Sequence, residues 1–142
     1  MPSSSEPGGV PGLGAGLRAT VRAAVTEADT AEALGSGDLP VLATPRLLAL
    51  AEAATVAAVG PHLGDGLTTV GTAASLEHRK ASPLGAEVVV EAELTEVDGR
   101  RLIFGFIARA GGVADDVVVG AGTVERVAVN RARFLARVRA NP

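Results

Sequence analysis

The residue with most to say about chemistry is Glu52, which sits midway along an almost wholly apolar run from Pro45 to Val59. Taking an ionised carboxylate out of water is costly unless it is paired or put to work. Glu52 therefore either closes an ion pair in the core or acts on a substrate, as a base or a nucleophile. His78 ends a later strand-like run in Ser75-Leu76-Glu77-His78-Arg79-Lys80. It reads either as an ordinary strand histidine or as a proton carrier that titrates near neutrality. Thr44 stands just before Pro45, where a helix N-cap belongs. Capping alone would explain it, yet the amides at a helix N-terminus can also stabilise the oxyanion formed when an ester or thioester carbonyl is attacked. Gly71, within Val70-Gly71-Thr72, predicts a bulge or a place where a ligand nears the backbone. His62, beside Pro61, reads as turn surface.

Composition excludes several other chemistries. The chain has no cysteine, which removes disulfides, thiolate nucleophiles and cysteine metal sites together. With only two histidines, no metal site is expected. Aromatic residues are 2% of the chain against 47% hydrophobic, so the core must be built from Ala, Val and Leu, and base-stacking surfaces are not expected. A net charge of -3 argues against nucleic-acid binding, although Arg131, Arg133, Arg137 and Arg139 make the C-terminal end locally basic. Neither Gly64-Asp65-Gly66 nor Gly120-Ala121-Gly122 has phosphate-loop spacing. No segment is apolar for the roughly 20 residues of a membrane span, and the N-terminus lacks the order of a secretory signal, so a cytoplasmic protein is expected, with no membrane partner.

The elements that must position these residues form one domain of 142 residues or fewer. Residues 1–16, rich in Pro, Ser and Gly, read as a disordered leader, and 17–142 as the domain. Leu17 to Val25 alternates strictly, with Leu17, Ala19, Val21, Ala23 and Val25 on one face of a half-buried strand. A short irregular helix is expected over Asp29 to Leu34. Thr44-Pro45 opens a long helix and Gly60-Pro61 stops it, and its nearly continuous apolar surface predicts enclosure on most sides. Four strands follow, over Leu67 to His78, Glu87 to Val97, Arg101 to Ala110 and Val117 to Val129. Asp98-Gly99 is a two-residue hairpin signal, so the last three should form an antiparallel meander. Asn130 to Ala140 predicts a basic helix packed through Phe134, Leu135 and Val138.

Strand, long helix, four strands is an α+β order in which one helix is enclosed only if the sheet curls round it. That is a hot-dog fold, a long central helix wrapped by a curved antiparallel sheet of about five strands. Its exposed edge strand and helix end would be covered by pairing of subunits, so a homodimer or higher homo-oligomer is expected.

The separated signals also occur in a familiar order. Ala43-Thr44 with Glu52 eight positions on, Val70-Gly71-Thr72, His78 with Pro83 and Gly85 beyond it, Asp98-Gly99-Arg100-Arg101-Leu102 and Gly122-Thr123-Val124-Glu125-Arg126 together resemble the fluoroacetyl-CoA thioesterase group of hot-dog enzymes. The resemblance implies that Thr44, Glu52 and His78 form the catalytic set and that Gly71 and Arg126 contact an acyl-CoA substrate, with no cofactor beyond the CoA of the substrate itself. It departs at one point. The fluoroacetyl-selective pattern has a phenylalanine lid in a Phe-Pro context, where this chain reads Leu39-Pro40-Val41-Leu42, one residue shorter. Leu39 takes the substrate-facing place without the ring, which points to a different short or medium acyl group.

Thr44 and Glu52 lie eight residues apart, about 12 Å along a helix, too far for both to meet one carbonyl easily. Two antiparallel copies of the helix across a two-fold axis would let each site borrow from both chains. The alternatives are a hot-dog enoyl-CoA hydratase or dehydratase, and a non-catalytic acyl-CoA-binding dimer.

Overall fold

A computed structural model of the chain describes residues 10–111 and 117–141. In chain order it contains β1 (Arg18–Ala24), α1 (Ala31–Leu34), α2 (Thr44–Val59), β2 (Leu67–His78), β3 (Glu87–Asp98), β4 (Arg101–Ala110), β5 (Val117–Asn130) and α3 (Arg131–Ala140). The strands form one antiparallel sheet in the order β1-β3-β4-β5-β2. The expected β3-β4-β5 meander is its centre, and β1 and β2 are its edges.

Period-two alternation gives β3 and β4 one buried face each. Val88, Val90, Ala92 and Leu94 share it with Leu102, Phe104, Phe106 and Ala108, and α2 lies against them through Leu47, Leu50, Ala51, Ala54, Ala58 and Val59. The alanines let the helix approach the sheet closely, while Phe104 and Leu47, both 0% exposed, each contribute about 1.5–3 kcal/mol of burial. Register shifts between Gly71 and Ala73, between Leu94 and Glu96 and between Ala108 and Arg109 break the ladders. Bulges of this kind bend strands and increase their twist, which is how the sheet curves round α2.

Four expectations are corrected. The β3-β4 hairpin loop is Gly99-Arg100, because Asp98 pairs with Arg101. Gly99 has φ +61 and among the described residues no non-glycine residue has positive φ, so the turn is of type II′, one residue later than an Asp98-Gly99 turn would place it. The leader does not reach Gly16, since Val10 and Leu13 are 5% and 4% exposed in the core and the Gly16 amide donates to the Leu94 carbonyl at 2.8 Å; the leader's residues 1–9 lie outside the described residues. The helix α2 is covered on one side only. Ala49, Ala53, Val56 and Ala57 face outward, as a single sheet can cover only one face of a helix. In α3 only Phe134 is half-buried, while Leu135 and Val138 are exposed, because the helix leaves the sheet edge with little to pack on.

Candidate active site

The helix α2 begins with Thr44 as its first helical residue, Pro45 as its second and Ala43 in the cap position, with no side-chain cap. Thr44 is therefore not the N-cap its sequence position suggested, and its hydroxyl is free for another partner. That partner is His78, the last residue of β2, held opposite Gly120 of β5. Thr44 Oγ1 and His78 Nδ1 are 2.7 Å apart. A hydroxyl and an imidazole at this distance are a nucleophile–base or base–orienter pair, depending on the tautomer. The other ring nitrogen, Nε2, is buried with no hydrogen-bond partner. Burial lowers the pKa of His78 below its ordinary 6.5, with the backbone at Lys80 acting weakly the other way. The imidazole is thus neutral at pH 7 and able to accept a proton.

The sequence reading passed over the residues that set the Thr44 end of the helix. Asp29 accepts from the Thr26 amide and hydroxyl, both at 2.8 Å, and from Arg46 Nε at 2.8 Å, while its carbonyl takes the Ala43 amide at 2.9 Å. One aspartate so ties the segment before α1 to the first turn of α2. Thr26 and Asp29 satisfy a capping-box pattern, a signal legible in the sequence, but the Arg46 contact spans the fold.

Glu52 belongs to a second cluster. Its Oε2 lies 3.4 Å from Arg126 Nη1, and Arg126 in turn donates through Nε to Thr69 Oγ1 at 2.8 Å and through Nη2 to the Thr69 carbonyl at 3.2 Å. Arg126 is 7% exposed, so burial pulls its pKa down and the Glu52 charge opposes this. The Glu52 side chain itself keeps 41% of its exposure in the single chain, against the expectation of a buried charge. Gly71 is part of the same arrangement. A Cβ there would stand 2.9 Å from Glu52 Oε2 and 3.4 Å from Arg126 Nη1, so only glycine lets the carboxylate lie against β2. The bulge expected at Gly71 is present, and the group that approaches its backbone is the Glu52 carboxylate.

Thr44 and His78 therefore meet at one end of the structure, and Glu52, Gly71 and Arg126 meet elsewhere. The two sets stand about 12 Å apart along α2 and about 23 Å apart along β2. A cavity of about 240 Å³ opens beside the first set, with Val41, Leu42, Thr44, His78 and Lys80 in its wall. Leu39 is not in that wall. It is 61% exposed, and the cavity is lined by Val41 and Leu42 instead. Among the described residues no group of three or more His, Asp or Glu side chains could hold a metal, and no helix is long and apolar enough to cross a membrane.

Residues 25–132 match the family described as fluoroacetyl-CoA-specific thioesterase. The chain belongs to this family. It is 40% identical over 99 residues to the fluoroacetyl-CoA thioesterase of Streptantibioticus cattleyicolor, an alignment that covers 70% of this chain and 68% of that one. Among solved structures, a mutant of the fluoroacetyl-CoA thioesterase in complex with acetyl-CoA superposes with a TM-score of 0.82 at 34% identity, covering 92% of this chain and all of the other. A thioesterase superfamily member from Thermus thermophilus gives 0.79 at 25% identity over 88% and 90% of the two chains. A hot-dog-like protein from Thermanaerovibrio acidaminovorans, 21% identical with a TM-score of 0.78 over 89% and 90%, shares the fold. The expected hot-dog architecture is the one observed. The relatives named for an activity are thioesterases, which leaves the hydratase and ligand-binding expectations without support.

Proposed function

We propose that the protein hydrolyses a short or medium acyl-CoA thioester to a carboxylate and CoA. The observation that carries this reading is the 2.7 Å contact between Thr44 Oγ1 and His78 Nδ1 beside an open cavity, in a chain of thioesterase family. In the tautomer that serves hydrolysis, Nδ1–H donates to Thr44 Oγ1 and leaves Nε2 as the unpartnered acceptor. A water oxygen bonds to the thioester carbonyl carbon as His78 Nε2 takes its proton. The first-turn amides of Thr44 and Arg46 have no intrahelical acceptor and can receive the developing oxyanion; Pro45 has none to give. The C–S bond then breaks, and the proton passes from His78 to the departing CoA sulfur.

Glu52 completes the site as the group that directs the water, or as the nucleophile that first bonds to the acyl carbon and is then hydrolysed. Either role brings Glu52 to His78, which a single chain does not do. We assign the missing proximity to a homodimer in which the outward face of α2 meets its copy, so that Glu52 of one chain works with Thr44 and His78 of the other. The exposed Ala49, Ala53 and Val56 and the uncovered middle of the edge strand β2 support this. Gly71 and Arg126 then serve the substrate through Glu52, by fixing where its carboxylate points. The reaction needs no cofactor beyond the CoA of the substrate, and since charged CoA esters do not cross membranes, the cytoplasm is its place.

A screen of short acyl-CoA esters with free-thiol detection tests the reading. Turnover of at least one ester is expected, with loss of about a hundredfold or more in Glu52→Gln. Wild-type protein that releases no thiol from any ester would remove the proposal.

A further inference from the structure

Two buried side-chain polar atoms lack a hydrogen-bond partner among the described residues, His78 Nε2 and Ser82 Oγ. Such atoms are uncommon in folded proteins and each calls for a reason. His78 is explained by the chemistry above, whereas Ser82, 1% exposed, has no part in it. The two residues flank Lys80, and each lines a cavity. That of His78 is the one of about 240 Å³ beside Thr44; that of Ser82 is about 380 Å³ and is walled by the apolar side chains of Pro83, Ala110 and Val119. Lys80 and Ala81 belong to both walls, so the two cavities adjoin.

The two neighbouring cations differ in availability. Arg79 is engaged by Glu77, through Nε at 3.2 Å and Nη2 at 3.0 Å. Lys80 makes no ion pair or side-chain hydrogen bond among the described residues, and its four-carbon stem gives its ammonium a wide reach.

We propose that the Ser82 cavity holds the pantetheine arm of the acyl-CoA, with the Ser82 hydroxyl bonded to an amide of the arm and Lys80 meeting a CoA phosphate. The inference rests on the thioesterase reading and adds to it the place of the leaving group. The arm alternates amides with apolar stretches, which suits an apolar wall carrying one unpaired hydroxyl. A saturated acyl chain would leave that hydroxyl buried and unpaired, at a cost a ligand amide removes. The cavity is of the size usual for small-molecule sites.

The test compares wild type, Lys80→Ala, Arg79→Ala and Ser82→Ala on one acyl group, the one wild type turns over fastest, carried by CoA and by pantetheine, which lacks the phosphates. Lys80→Ala is expected to raise KM for the CoA ester about fivefold with kcat unchanged, and to leave the pantetheine ester unaffected. Arg79→Ala, which removes a side chain already paired with Glu77, should raise KM for the CoA ester by less than Lys80→Ala does. Ser82→Ala should raise KM for both esters without lowering the melting temperature, because the hydroxyl has no partner in the free protein to lose. Equal effects of Lys80→Ala on the two esters, or none on either, would overturn the phosphate contact; unchanged KM values in Ser82→Ala would overturn the arm's place. Should wild type hydrolyse neither ester, the thioesterase reading fails by itself. Calorimetric titration with CoA and with pantetheine then decides the subsite, where weaker CoA binding in Lys80→Ala alone supports it and equal binding sinks it.

Discussion

At the scale of single residues, the chemistry divides between a neutral imidazole with a hydroxyl partner and a carboxylate held by a buried arginine. Because the pKa of His78 is lowered by burial, the fold favours the uncharged ring. The stability linked to that preference is whole above the ordinary value of 6.5 and declines as pH falls below it. On the proposed mechanism the same protonation removes the base, so kcat/KM should show an acidic limb below pH 6.5, measured from pH 4.5 to 8 in rate assays that subtract unfolding. An alkaline shift of that limb would contradict the assignment. Thr44→Val, which keeps the shape and deletes the hydroxyl, should lower kcat by about tenfold or more while leaving the helix intact, since Thr44 does not cap it. Circular dichroism alongside the rate assay checks both halves. The sequence marked Thr44, Glu52 and His78 by type and spacing. It did not show that Thr44 bonds to His78 rather than to the helix end, because a cap and a side-chain partner 34 residues away look alike in one dimension.

At the scale of elements, the site depends on how two segments meet. Gly71 sits at a bulge in β2 so that α2 can press Glu52 against the strand backbone. Gly71→Ala should push the flexible Glu52 carboxylate away from Arg126 and lower activity, while the urea unfolding midpoint stays within about 0.5 kcal/mol of wild type because the position is exposed and the carboxylate can move aside. A variant as active as wild type would show that Glu52 needs no such seat. The first turn of α2 is fixed by Asp29, whose carboxyl is held below its ordinary 3.8 by hydrogen bonds from the Thr26 amide and hydroxyl, with Arg46 assisting. A depressed carboxylate contributes stability that is present above its unfolded value and lost as pH falls through the folded one. Asp29→Asn should therefore flatten the acid arm of the stability curve below about pH 4 and cost about 1 kcal/mol at neutrality. The strands were legible from alternation, and the long helix from its stops. The exact hairpin loop was not, because Asp98-Gly99 and Gly99-Arg100 are both acceptable two-residue turns, and cross-strand register on the β3 and β4 faces chooses between them.

At the scale of the whole molecule, one sheet covers one face of α2 and leaves Ala49, Ala53 and Val56 outside, with Val56 46% exposed. If a second copy covers that face and completes each site, Val56→Glu should give monomers in analytical ultracentrifugation and lose thioesterase activity with the split sites. An active monomer would show that one chain suffices. What the sequence by itself determined is local and periodic: five strands, a helix with its start and stop, the family, and the residue types able to act on a thioester. The elements follow from spacing of two or of 3.6, the residue types from chemistry written in their side chains, and the family from the resemblance of the ordered motifs. What only the tertiary structure decided is which of those residues touch. The sheet brings Arg126 and Thr69 under Glu52, the β2 edge brings His78 to Thr44, and Leu39 is left outside the cavity wall. Contacts of that kind depend on the curvature of the sheet and on packing volume summed over the whole core, quantities no short stretch of sequence carries.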